Sequence, residues 1–594
     1  MAYENRNYAF AENFVGELAR AGLRHVCICP GSRSTPAAIA FARHTGIKKW
    51  YHLDERSASF FALGIAKAQE EPVAVLSTSG TAGANFHPAV IEAHYSNVPL
   101  IAITADRPTE LWEWGAPQAM DQTSLFGNHA KWSVAMPTPE STPTLVRYVR
   151  ACAARIYATA VESPAGPVHV NMPFRDPLSP QQVPADQWLL GEGESLGVSS
   201  NAAYTRVISG SVAPDPVAVQ RIARELSHVE RGLIVCGPQL PISLASLIVA
   251  LAERLNYPVL ADPLSQVRAG SHSLSNIIPT YDLFLRDASL IQGFAPEAVI
   301  RFGAWPTNRP LMSFLESHRS VRHIHIGVNG WSDPAHLNTD VIRADPALVC
   351  EAFLVDLPQS DHDSQWLQRW QALGDATQAA IHANLSDIGE LFEGKLFAEL
   401  GALLPEGAAL FAGNSMPVRD MDTYFPAIPK TVRFESNRGV NGIDGVVSTA
   451  LGFGATWPGR LVLVIGDVSF YHDMNGLLAA QRYGMDATII IINNDGGAIF
   501  SFLPQHNYPE HFEELFGTPH GLTFRSTADL YGLPYAKVSS WGDFQAAVTA
   551  SFATNGPSII EVPGDRERNL ALHKEVSETV LASVRDQVAH ATGA

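Results

Sequence analysis

Leu461-Val462-Leu463-Val464-Ile465-Gly466-Asp467 and Ile489-Ile490-Ile491-Ile492-Asn493-Asn494 are the two stretches whose joint reading decides the fold. Each is a short apolar run, suited to a strand buried on both faces, and each ends in a polar residue. Asn494 lies 27 residues beyond Asp467, the length a strand–helix–strand crossover needs to set two parallel strands side by side. A carboxylate and a carboxamide would then converge at the carboxyl edge of a parallel sheet, where such folds bind ligands. Hard oxygen donors at that edge suit Mg2+ held between protein and a diphosphate. An ordinary buried crossover whose aspartate caps a helix has the same spacing, so the spacing alone leaves both readings open.

The rest of the chain sets the frame. At 594 residues it should form roughly three to four domains, each with its own core. Hydrophobic content of 46% and charged content of 17% describe a soluble globular protein. A net charge of −18 argues against nucleic acid or an anionic membrane as partner, although a few buried arginines can still make a pocket receptive to anions. No apolar run reaches transmembrane length, and the polar start Met1-Ala2-Tyr3-Glu4-Asn5 is unlike a signal peptide. Five cysteines are too few for a disulfide framework and none has zinc-finger spacing, so the expected compartment is the cytoplasm.

Three α/β regions follow from the alternation of patterns. In the first, about 1–185, strands are expected at His25–Cys29, Val73–Ser77, Leu100–Thr104 and Val168–Asn171, with a helix over Asn13–Ala21. In the second, about 205–358, strands are expected at Gly232–Cys236, Pro258–Ala261, Ala298–Phe302 and His323–Gly327, with a helix over Ser243–Leu255. The third, about 386–580, holds the opening motif. Polar, proline-bearing stretches near 176–213 and 358–361 read as linkers.

Glu55 follows an expected strand, Lys49–Asp54, and precedes an apolar helix, Ala58–Ala68. There it either faces the ligand crevice or only balances a helix dipole. Ser77-Thr78-Ser79-Gly80-Thr81-Ala82-Gly83-Ala84-Asn85 joins a strand to a helix through small residues that bare backbone donors, though a plain capped turn would look similar. Arginines recur on crevice loops: Arg33 in Pro30-Gly31-Ser32-Arg33-Ser34-Thr35-Pro36, Arg107 after Asp106, Arg419 in Asn414-Ser415-Met416-Pro417-Val418-Arg419, and Arg438 in Ser436-Asn437-Arg438-Gly439. Any one of them could be a surface residue; together they suggest substrates with at least two carboxylates.

In this order the motifs resemble the thiamine-diphosphate enzymes, with Val468 standing where that signature usually has glycine. The resemblance implies three doubly wound parallel-sheet domains: a pyrimidine-binding domain, a central domain and a diphosphate- and magnesium-binding domain. It implies thiamine diphosphate and Mg2+, with Mn2+ a possible substitute, and Asp467, Asn494 and the Gly496 carbonyl as cation ligands. Glu55 would pair with the aminopyrimidine ring and favour its imino tautomer. Ser79, Gly80, Thr81, Asn85, Gly466, Val468 and Ser469 would line the cofactor, and Ile443 would wedge it into its bent form. Within the superfamily the loops are most similar to the branch that decarboxylates 2-oxoglutarate and adds the succinyl carbanion equivalent to isochorismate in menaquinone biosynthesis. Ser32, Arg33, Arg107, Gln118, Ser415, Arg419 and Arg438 match substrate-facing positions in that branch, and Arg309 is a further candidate. Ser415 and Arg419, four apart, would share a face if both were helical. Another 2-oxo acid carboligase or decarboxylase, such as acetolactate synthase, is the alternative. A homo-oligomer, a dimer or a dimer of dimers with sites between subunits, is implied as well.

Overall fold

The computed structural model describes residues 3–140, 142–186, 202–329, 331–358 and 365–592. Ser199-Ser200-Asn201 and residues 359–361 of the expected linkers therefore lie outside the described residues. Three parallel sheets organise the chain. The first contains β1 (His25–Ile28), β2 (Lys48–Tyr51), β3 (Val73–Ser77), β4 (Leu100–Asp106), β5 (Ser133–Ala135) and β6 (Val168–Pro173), in the order β2-β1-β3-β4-β6-β5. The second contains β7 (Gly232–Cys236), β8 (Val259–Ala261), β9 (Ala298–Phe302), β10 (Arg322–Ile326) and β11 (Asp340–Ile342), in the order β11-β10-β9-β7-β8. The third contains β12 (Ala409–Ala412), β13 (Arg433–Glu435), β14 (Leu461–Gly466), β15 (Ala487–Asn493), β16 (Tyr535–Lys537) and β17 (Ser558–Pro563), in the order β13-β12-β14-β15-β17-β16.

Central strands are apolar along their length because helices cover both faces. Every residue of β3, β4 and β6 is buried. The opening motif behaves as its spacing requires: β14 and β15 are parallel neighbours, with Gly466 opposite Ile492. Asp467 opens a helix, Asp467–Asp473, immediately after β14. Val468 is helical there, so no left-handed backbone demands the usual glycine at this position. The expected helix at Asn13 starts earlier, at Arg6, because the Asn5 side chain accepts from Asn7 N and caps it.

By its contacts the chain forms two compact units. The first comprises Met1–Gly210, Asn437–Trp457 and His472–Met485; the second comprises Ser211–Ser436, Pro458–Tyr471 and Asp486–Ala594. The first sheet and its core around Phe14, Phe41, Ile101 and Val170 belong to the first unit. The second and third sheets belong to the second unit, with a core that runs from Leu233 through Trp370 to Val584.

Within the first unit, helix Glu55–Gln69 packs on helix Val446–Gly454 almost backbone to backbone. A Cβ on Gly64 would stand 2.0 Å from Thr449 O, and one on Gly452 would stand 2.0 Å from Phe61 O, so each glycine makes room for the facing main chain. Buried Asp473 caps the second of these helices, accepting from Ser448 N at 2.7 Å and Ser448 Oγ at 3.1 Å. Burial pushes its carboxyl up to about 6, against the pull of those hydrogen bonds.

Candidate functional site

Glu55 is the first residue of its helix rather than a loop residue before it. Asp54 does the capping, its carboxylate accepting from Ser57 N at 3.0 Å, so the helix has no need of Glu55 for that purpose. The Glu55 carboxyl is half-buried and lies above the ordinary range; burial raises it, its own amide opposes, and Asp54 adds. A carboxyl tuned this way shares a proton with a ring nitrogen more readily than an exposed one.

Loops at the carboxyl ends of β1, β3 and β4 meet next to one another. Gly80, at φ 80°, donates its amide to Gln122 Oε1 at 2.7 Å, and Gln118 Nε2 donates to Ser79 O at 3.1 Å. Ser79 is buried and its Oγ has no hydrogen-bond partner among the described residues, which leaves a donor for a ligand. Thr81 and Asn85 are exposed and linked, Asn85 Nδ2 donating to Thr81 O at 3.1 Å. Arg33 is buried beside this loop: its amide donates to Thr78 Oγ1 at 3.3 Å and its Nη1 to Phe174 O at 2.7 Å, with Asp176 at 3.9 Å. Burial and then the nearby Arg107 depress the Arg33 guanidinium, the mark of two cations sharing a site. Arg107 donates from Nε and Nη2 to Pro117 O, at 3.1 and 2.9 Å, just before Gln118. Ser32 is exposed at the rim.

The same unit holds the segment with Arg438 and Ile443, both half-buried. Glu92 anchors it, accepting from the amides of Gly439 at 2.8 Å and Val440 at 2.9 Å. Gln122 and Glu92 are residues that sequence reasoning missed; each acts on a segment far along the chain, and no local pattern signals that.

In the second unit, the carboxyl ends of β12, β14 and β15 adjoin. Asp467 is buried; Oδ1 accepts from Val468 N at 2.6 Å and Oδ2 from Gly496 N at 3.1 Å. Burial raises its carboxyl, while those amides and His520 oppose. His520 Nε2 stands 3.2 Å from Oδ2, and Leu522 N donates to its Nδ1 at 3.0 Å. Asn494 lies just past β15, its Nδ2 donating to Glu393 Oε1 at 2.8 Å. Its Oδ1 is buried with no partner among the described residues. Gly496, at φ 134°, presses so closely on Gly517 O that a Cβ would stand 1.9 Å away. Gly466 and Val468 are half-buried and Ser469 is buried along the same turn. The Asp467 carboxylate and the Asn494 carboxamide oxygen are hard donors of the kind that fit Mg2+, and Gly496, whose carbonyl accepts from Ala498 N at 3.0 Å, follows two residues after Asn494. Burial pushes neighbouring Glu393 up to about 7, with the Asn494 hydrogen bond opposing.

Ser415 is not helical, contrary to the shared-face expectation. It precedes helix Met416–Tyr424 with φ 74°, and Arg419 reaches back with Nη1 to its carbonyl, at 2.5 Å, rather than to its hydroxyl. Arg309 departs further from expectation: it is exposed at the start of helix Arg309–Ser317 and pairs with Glu316 at 3.2 Å, whereas its neighbour Asn308 contacts Arg419 O at 3.3 Å.

Comparison with known proteins agrees with this geometry. Family models match in chain order: the thiamine pyrophosphate enzyme N-terminal binding domain over residues 9–125, the thiamine pyrophosphate middle domain over 207–412, and the thiamine pyrophosphate enzyme C-terminal binding domain over 426–562. A 2-succinyl-5-enolpyruvyl-6-hydroxy-3-cyclohexene-1-carboxylate synthase from Geobacillus thermodenitrificans is 46% identical, covering 96% of this chain and 95% of its own. The enzyme of that name from Chloroflexus aurantiacus is 45% identical, covering 94% of each chain. A solved structure from Mycobacterium smegmatis, provisionally assigned as a thiamin diphosphate-dependent enzyme, shares the fold, with a TM-score of 0.70 at 18% identity over 93% of this chain and 99% of its own. The chain therefore belongs to the thiamine pyrophosphate enzymes and, within them, to the 2-succinyl-5-enolpyruvyl-6-hydroxy-3-cyclohexene-1-carboxylate synthase family.

Proposed function

We propose that the protein decarboxylates 2-oxoglutarate and transfers the remaining succinyl group to isochorismate by 1,4-addition, releasing CO2, in menaquinone biosynthesis. The observation that carries this reading is the pair Arg33 and Arg107 set against the Ser79–Gly80 loop, in a chain 46% identical to such a synthase. A monocarboxylate 2-oxo acid would give two guanidinium groups little to bind; a dicarboxylate and an isochorismate occupy both.

Thiamine diphosphate, once bound, supplies the electron sink for decarboxylation, and Mg2+ ties its diphosphate to the protein. Asp467, Asn494 Oδ1 and the Gly496 carbonyl would hold the cation, with Gly466, Val468 and Ser469 along the diphosphate. Glu55 holds a proton against the aminopyrimidine ring. Ser79, Gly80, Thr81 and Asn85 line the cofactor, and Ile443 packs against it. Arg33, Arg107, Arg419 and Arg438 neutralise substrate carboxylates, and Ser32, Gln118 and Ser415 orient the polar groups between them. Arg309 contributes only if its pair with Glu316 opens. The active form is a homo-oligomer whose subunits complete one another's cofactor sites, and the compartment is the cytoplasm; among the described residues no helix is long and apolar enough to cross a membrane.

The test is mass-spectrometric identification of the product from 2-oxoglutarate and isochorismate with thiamine diphosphate and Mg2+. Consumption of pyruvate while that pair stays untouched would favour an acetolactate synthase-type carboligase. A fully active monomer in sedimentation would remove the assembly.

A further inference from the structure

The two heavy atoms at the end of an asparagine side chain have nearly the same shape, so only its surroundings decide whether oxygen or nitrogen faces a given site. At Asn494 that choice matters, because a cation accepts the oxygen and is repelled by the amide protons. One neighbour makes the choice. Glu393 Oε1 accepts from Asn494 Nδ2 at 2.8 Å, which turns Oδ1 away, into the buried position where it has no partner among the described residues. Glu393 cannot easily move. It is the first residue of helix Glu393–Leu403, is 5% exposed, and has Gly564 packed against it and against Asn494; a Cβ there would lie 3.7 Å from Glu393 Oε1 and 3.4 Å from Asn494 Cβ. Its second oxygen, Oε2, is buried with no partner among the described residues. Leaving that oxygen unpaired is costly for a residue that merely fills space, since a leucine or methionine would fill it without the penalty.

We propose that Glu393 is a positioning residue for the metal centre: it locks the Asn494 carboxamide with its oxygen toward the cation. The inference rests on the proposed metal role of Asp467 and Asn494 and adds an outer layer to it.

The experiment measures Mg2+ binding by calorimetry on the full chain with thiamine diphosphate present, with Mn2+ resonance spectra as a second readout. Glu393→Met removes the acceptor at similar volume and should weaken cation affinity about 10–100-fold. Glu393→Gln keeps an acceptor oxygen and should stay within about threefold of the parent, the smaller effect expected where the hydrogen bond survives. Asn494→Asp added to Glu393→Met should restore affinity, because a carboxylate presents oxygen either way round. Unchanged binding in Glu393→Met, equal losses in the Met and Gln variants, or no recovery in the double variant would each overturn the proposal. If Glu393→Met does not fold, Asn494→Asp alone sets two carboxyl groups face to face, and adding Glu393→Gln should then tighten cation binding; no change would overturn the proposal. Asp467→Ala separates the two levels: if it leaves Mg2+ binding intact, the metal site itself is wrong, whereas its loss beside an unaffected Glu393→Met rejects only the positioning role.

Discussion

Alanine at Gly64 or Gly452 should destabilise the first unit, although alanine is the better helix former. The new methyl at 64 would sit 2.0 Å from Thr449 O, and the methyl at 452 would sit 2.0 Å from Phe61 O. Ordinary contact starts near 3.4 Å, so the helices must part by about 1.4 Å; main-chain atoms, unlike a flexible side chain, cannot rotate aside. Overpacking of this kind costs about 1–3 kcal/mol, and the rigid obstacle puts both sites at the upper end. Helix propensity returns about 1 kcal/mol, for a net loss of about 2 kcal/mol per substitution. At about 2–4 °C per kcal/mol for a unit of this size, each variant should melt about 4–8 °C below the parent. The double variant is more informative. Parting the helices once relieves both clashes, so its loss should fall well short of the two single losses together. Calorimetric melting of the parent, both singles and the double measures this. Single variants as stable as the parent, or a strictly additive double, would refute the close-packed interface.

Glu55→Gln should lower product formation about 10²–10⁴-fold while Mg2+-dependent cofactor binding persists; unchanged turnover would reject the proton-holding role. Arg33→Ala should lose a charge-assisted contact of about 1.5–3 kcal/mol, seen mainly as a higher KM for a carboxylate substrate, and equal losses toward an uncharged analogue would count against it. Gly496→Ala, whose methyl would stand 1.9 Å from Gly517 O, should abolish Mg2+-dependent cofactor binding without unfolding the protein, as calorimetry would show. Asp473 supplies a pH test. Its carboxyl titrates at about 6 in the folded protein against an ordinary 3.8, so the unfolded chain releases that proton first. This group therefore costs stability as pH rises from about 4 to 6, reaching about 3 kcal/mol above pH 6. Asn can still accept from Ser448 N, so Asp473→Asn should raise Tm at pH 7.5 and change it little at pH 4.5; equal effects at both would contradict this account.

Buried central strands could be read from the sequence because apolar runs such as Val73–Ser77 and Ile489–Ile492 have no other economical use. Of the edge strands, β2 and β8 were legible and the other four were not. β5, β11, β13 and β16 are three residues long and carry little apolar signal of their own. At the candidate site, Asp467, Asn494 and Glu55 announced themselves by position next to strands. Glu92, Gln122 and Glu393 did not, because each acts on a segment 347, 42 or 101 residues away along the chain. Arg309 shows what a loop position alone leaves out: Glu316, two turns along its own helix, takes the guanidinium at 3.2 Å.

The first unit is stitched from three separate pieces of chain, the last ending at Met485, 275 residues after the first piece ends at Gly210. A ribosome adding about 5–20 residues per second delivers the remainder about 14–55 s late. Until helix Val446–Gly454 has been made, the nascent helix Glu55–Gln69 has no mate for its glycine-bearing flank. A fragment stopped at Gly210 should be sticky in isolation; if it is instead soluble and monomeric, the late arrivals are dispensable.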